Sequence, residues 1–122
     1  MKKLLFVFMA LAVAAPHAAR ADSNIRVIST RQLADSCKLM TNPEHKAFCI
    51  GYFSATYETY LVTRHPQVGK ALICHPQAAP RRDDLIASFV NWSDANTQYD
   101  SAPAADNVLR FLADRFPCKQ AS

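Results

Sequence analysis

Four cysteines, Cys37, Cys49, Cys74 and Cys118, constrain the fold of this chain more than any other feature. All of them follow an N-terminal export signature. Lys2 and Lys3 form a positive start, and residues 4–15 form an apolar run. That run is shorter than the roughly 20 residues a membrane span needs. Ala19-Arg20-Ala21 then supplies a small-x-small cleavage pattern, which makes Asp22 the new N-terminus. No lipobox cysteine follows the run. The expectation is a signal peptide over residues 1–21 and a single domain over residues 22–122, exported to the periplasm, with no stable membrane insertion after cleavage. An even cysteine count in a small exported chain reads as a disulfide framework. The rival is a metal site, but there is no CxxC pair, and the adjacent Cys74-His75 is poor geometry for one tetrahedral centre.

Removing 21 of the 122 residues leaves 101, enough for one modest core and too few for two. Of the 14 basic residues, Lys2, Lys3 and Arg20 leave with the signal, and none of the 10 acids does. The formal charge falls from +4 to +1. A nearly neutral surface offers no electrostatic footprint for nucleic acid.

Few glycines and apolar residues recurring at three and four predict an all-α fold of about four helices in two antiparallel hairpins. Ser29-Thr30-Arg31-Gln32 fits a capping box with Ser29 as N-cap. Leu33, Cys37 and Met40 share one face of the helix that follows. Asn42-Pro43-Glu44 restarts the chain as cap, first-turn proline and first-turn acid. Ile50, Phe53, Tyr57 and Leu61 stripe this second helix, which should end near His65-Pro66. Gly51 inside it predicts close approach of another backbone, since a mid-helix glycine costs about 1 kcal/mol against alanine. Residues 64–82 show no period and read as an ordered connection with an extended piece at 71–74. Asp83 and Asp84 favour the start of a third helix, with Leu85, Ile86, Phe89, Val90 and Trp92 on its apolar face. Pro103 suits the first turn of a fourth helix, buried through Ala105, Leu109, Leu112 and Phe116.

These hairpins dictate the cysteine pairing. Cys37 and Cys49 flank the Asn42-Pro43 turn, and Cys74 and Cys118 bracket the second hairpin. The expected disulfides are therefore Cys37–Cys49 and Cys74–Cys118.

Cysteine beside histidine suggests a thiol hydrolase, but a nucleophile needs a free thiolate, and disulfides use all four cysteines. The reading is a non-enzyme without cofactor or metal. His45, His65 and His75 sit at proline-rich turns and read as surface residues rather than ligands. Most aromatic residues on the helices read as core. Tyr52, Tyr60 and Trp92 are expected at the surface, because each carries a polar atom that needs a partner. Residues 94–102 are the longest polar connection between well-patterned helices. Trp92, Asp94, Tyr99 and Asp100 offer an aromatic anchor beside carboxylates there, and they are the candidate partner-binding residues.

Cys49-Ile50-Gly51-Tyr52, then Cys74-His75-Pro76, then Phe116-Pro117-Cys118, in that order, resembles the Rap/Tai family of periplasmic immunity proteins of type VI secretion systems. The resemblance spans residues 33–118. Ala55 departs from it where a second small residue, often glycine, is expected. It implies a small helical fold, often a homodimer, that binds a peptidoglycan amidase toxin and blocks its cleft. A second reading is a periplasmic stress or acid-activated chaperone. Such a protein would expose a large apolar patch and bind many clients, whereas an immunity protein binds one toxin tightly.

Overall fold

The structure, a computed structural model, describes residues 26–63 and 70–119. They form four α-helices: α1 (Thr30–Cys37), α2 (Pro43–Thr63), α3 (Arg82–Ala95) and α4 (Ala104–Arg115). A short 3-10 helix, Thr97–Tyr99, lies between α3 and α4. No strand occurs among the described residues, only isolated antiparallel bridges joining Ser29 to Pro103 and Ile73 to Pro117. The proposed signal peptide lies outside the described residues, as does the expected end of the second helix at His65-Pro66. No helix among those described is long and apolar enough to cross a membrane.

The helix starts follow their local chemistry. The Ser29 hydroxyl accepts from the Gln32 N–H, and the Gln32 side chain accepts from the Ser29 N–H, completing the capping box. The Asn42 carboxamide oxygen accepts from Glu44 and His45 N–H at 2.8 and 3.2 Å, ahead of Pro43. Pro103 is the cap of α4 rather than its first helical residue, one position earlier than expected.

Helix α1 is the hub and packs on α2, α3 and α4. Leu33, Ala34 and Cys37 from α1 join Phe53, Ile86, Phe89, Val108 and Phe111 in one core. Phe89 meets Phe53 and Phe111 edge-on, with ring centroids 5.1 and 5.6 Å apart, an arrangement the aromatic quadrupole favours.

Both expected disulfides are present. Cys37–Cys49 closes a separation of 12 residues and Cys74–Cys118 one of 44. Chain-entropy arguments assign about 3 and about 4 kcal/mol to loops of these sizes.

Several expected positions shift. The buried stripe of α2 is Cys49, Phe53 and Tyr60, while Leu61 is exposed. The face of α4 turns by one residue, burying Ala104, Val108, Phe111 and Leu112 together with Asn107. Asn107 is tolerated there because its amide donates to the Thr30 hydroxyl at 2.8 Å. Gly51 is exposed, and a Cβ there would meet nothing within 4 Å. The close backbone approach expected of it does not occur. Phe48 on α2 is 42% exposed and leans on Tyr52, an exception to the expectation that most helix aromatics are core.

Candidate partner-binding surface

The connection between α3 and α4 is built directly on the start of α1. Thr30 N–H donates to Ala102 O at 2.9 Å, Arg31 N–H to Asp100 O at 3.1 Å, and Ala104 N–H to Ile28 O at 2.9 Å. These bonds use donors that the first turn of a helix leaves without intrahelical partners. The Thr30 hydroxyl, fully buried, donates a further bond to Ala102 O at 3.1 Å.

Side chains lock the same contact. Arg31 extends one guanidinium nitrogen to Asp94 at 2.9 Å and the other to both carboxylate oxygens of Asp100, at 3.0 and 3.1 Å. Lys38, the C-cap of α1, reaches the same Asp94 oxygen at 2.9 Å and lies 3.5 Å from Asp35. The bonds from Lys38 and then Arg31 hold the Asp94 carboxyl below its usual range. The bond to Asp94, and then that to Asp100, raises the Arg31 guanidinium. Lys38 is raised chiefly by Asp94.

An aromatic stack lies beside this cluster. Trp92 and Tyr99 are 6° from coplanar with centroids 5.8 Å apart, and Trp92 also stacks on buried Phe89. The Arg110 guanidinium sits 4.8 Å from the Tyr99 ring centre, within cation–π range. The structure therefore ties all four sequence-predicted residues into one braced ridge. Asp94 and Asp100 meet through Arg31, and Trp92 and Tyr99 meet face to face. Trp92, Tyr99 and Asp100 are half-buried, whereas Asp94, Thr97, Gln98 and Ser101 are exposed. The connection does not stand free of the fold.

Sequence reasoning missed Arg31, Lys38 and Arg110. A signal for Arg31 existed. A cation in the first turn opposes the helix dipole, and α1 carries no acid there. Such an arginine calls for carboxylates from elsewhere in the chain.

A concavity lies elsewhere on the surface. It is an open groove of about 400 Å³ between α2, α3 and the end of α4, walled by residues 73–80. Ile50, Tyr57, Leu85 and Phe116 supply much of its apolar lining, with Glu58 and Arg82 among its charged members. The Tyr57 ring packs edge-on against His75 at 5.4 Å. His45 is bonded to the Ser36 hydroxyl at 2.8 Å, and His65 lies outside the described residues. Tyr60, expected at the surface, is only 5% exposed, and its hydroxyl accepts from Leu72 and Ile73 N–H at 2.7 and 3.1 Å.

All four cysteines are in disulfides, so no thiolate nucleophile is available. The chain is a small stapled helical scaffold that carries an aromatic stack beside an ion-pair cluster on its surface. The profile of the Rap1a immunity proteins matches residues 29–118, and the chain belongs to that family. Membership places it among toxin-immunity proteins. No curated protein and no solved structure gave a significant match.

Proposed function

We propose that this chain is exported to the periplasm, where it binds and inhibits a secreted toxin, a type VI peptidoglycan amidase. The observation that carries the reading is the family match over residues 29–118, which takes in all four helices. The oxidised cysteines support an exported location, because disulfides persist in oxidising compartments. The export signature at residues 1–21 supports it from the sequence side.

The contact face in this reading is the ridge of Trp92, Asp94, Tyr99 and Asp100. An aromatic pair held rigid by Phe89 and Arg110 loses little conformational entropy on binding. Arg31 already partners the carboxylates, so their contribution is to shape the ridge and not to offer free charge. The resemblance also implies a homodimer, which light scattering of the purified chain measures directly.

The deciding experiment expresses an amidase toxin in the periplasm of a sensitive strain, with and without this chain. Protection, together with a stable complex in gel filtration, is the expected outcome. If the chain protects only against a toxin of a different activity, the amidase assignment fails but the immunity reading stands. Failure against every toxin encoded beside its gene sinks both.

A further inference from the structure

The two disulfides sit in opposite environments. Cys37 and Cys49 are 3% and 0% exposed, sealed between α1 and α2 in the core. Cys74 is exposed and Cys118 half-buried, and neither lies in a helix. Cys74 also borders the open groove beside Tyr57 and His75. Disulfide exchange needs a thiolate to reach a sulfur. A surface loop offers that access, and a sealed core does not.

We propose that Cys74–Cys118 is a thiol–disulfide exchange site for a dithiol oxidoreductase, while Cys37–Cys49 is an inert structural staple. The attacking thiolate bonds to the sulfur of Cys74, the more exposed residue of the pair, and the Cys74–Cys118 bond breaks. Cys118 leaves as a thiolate and takes up a proton. The second thiolate of the oxidoreductase then attacks its own sulfur in the mixed disulfide. That releases Cys74 as a thiolate, which is protonated in turn. Two electrons pass from the dithiol to this chain, and the oxidoreductase ends as a disulfide. The reverse sequence closes the bond.

The exchange opens the staple that closes the longer loop and so lowers stability, but other contacts across the same junction remain. Tyr60 still holds Leu72 and Ile73 through its hydroxyl. Cys74 N–H still donates to Phe116 O at 2.8 Å, and Ile73 still bridges Pro117. Cys37–Cys49 still joins α1 to α2. Exchange loosens both ends of the tie, residues 74–80 at the wall of the groove and Cys118 beyond α4, so it alters that surface while the four helices keep their core contacts.

The test treats the oxidised, folded chain with graded dithiothreitol, blocks free thiols with N-ethylmaleimide and maps the peptides by mass. The expected product carries two labels, at Cys74 and Cys118, with the Cys37–Cys49 linkage intact and the far-ultraviolet helical signal retained. A second arm uses a thioredoxin-fold oxidoreductase whose resolving cysteine has been replaced by alanine. It should form a covalent adduct through Cys74, and the adduct should be lost in the Cys74→Ala, Cys118→Ala double variant. Simultaneous loss of both disulfides, earlier labelling of Cys37 and Cys49, or an adduct through any other cysteine would overturn the proposal.

Discussion

The Tyr60 hydroxyl holds two backbone N–H groups of the connection between α2 and α3, one of them the buried Ile73. Tyr60→Phe keeps the ring but leaves those donors without an acceptor. A buried donor left unpaired costs about 1–3 kcal/mol, and urea denaturation should register a loss of that size. Ser93 presents the opposite case. It is fully buried on α3, and its hydroxyl finds no partner among the described residues. Ser93→Ala removes an unpaired polar atom and improves helix propensity, so the variant should gain about 1 kcal/mol in the same assay. A lower midpoint would show that the hydroxyl has a partner after all. Both residues expose a limit of pattern reading. Tyr60 was expected at the surface because its oxygen needs a partner, but backbone donors 12 and 13 positions away meet that need inside the fold. Nothing in a periodic pattern reports on such a pairing.

Short local signals set the helix boundaries well, whereas the helix faces depend on contacts between elements. The capping box at Ser29 and the Asn42-Pro43 restart involve residues two or three apart, and both were legible. The turn of α4 by one position was not, because it goes with contacts between distant elements, among them the bond between Asn107 and Thr30, which are 77 positions apart. The Arg31 brace belongs to the same class. It joins α1 to the end of α3 and to the connection beyond, and its strength should follow the charge state of Asp94. Partners hold that carboxyl below its usual range. Its contribution is therefore complete above the ordinary aspartate pKa of about 3.9, and it disappears as pH falls through the lower folded value. Lys38 and Arg31 are shifted upward, so their share is complete below their ordinary values and fades only at strongly alkaline pH. The brace holds across the neutral range. Thermal melts of wild type and Asp94→Asn should differ at neutral pH and converge in acid, with salt narrowing the gap because the cluster is solvent-accessible. A gap unchanged down to strongly acidic pH would assign Asp94 no electrostatic role.

At the scale of the whole molecule, the staples and the ridge answer to different experiments. The cysteine pairing was legible because each disulfide joins elements that the helix pattern already brings together. The partner-binding ridge was legible only as a polar segment with aromatic residues. A polar connection of that kind, standing free, would let Tyr99 be truncated without loss of stability. The folded chain changes this expectation. Tyr99 stacks on Trp92 and lies beneath Arg110, and Trp92 reaches the core through Phe89 and Phe111. Tyr99→Ala should therefore lower the melting temperature as well as weaken toxin binding, and its binding loss alone cannot separate contact from collapse. Thr97 and Gln98 provide the cleaner probe. Both are exposed on the 3-10 helix, immediately ahead of Tyr99 and Asp100. Replacing either with arginine adds bulk and charge at the crest while leaving the stack and the Arg31 brace in place. If the crest enters the toxin, Gln98→Arg should melt like wild type yet bind about 2 kcal/mol more weakly, the scale of a hot-spot loss. Tyr99→Phe, which keeps the stack, should bind nearly as wild type does unless its hydroxyl contacts the toxin. Titration calorimetry against the cognate toxin, with melts of the same samples, reads both quantities. Unchanged affinity for Thr97→Arg and Gln98→Arg would place the crest outside the interface. The groove walled by residues 73–80 would then be the surface to probe, beginning with charge reversal at Glu58 and Arg82 on its rim.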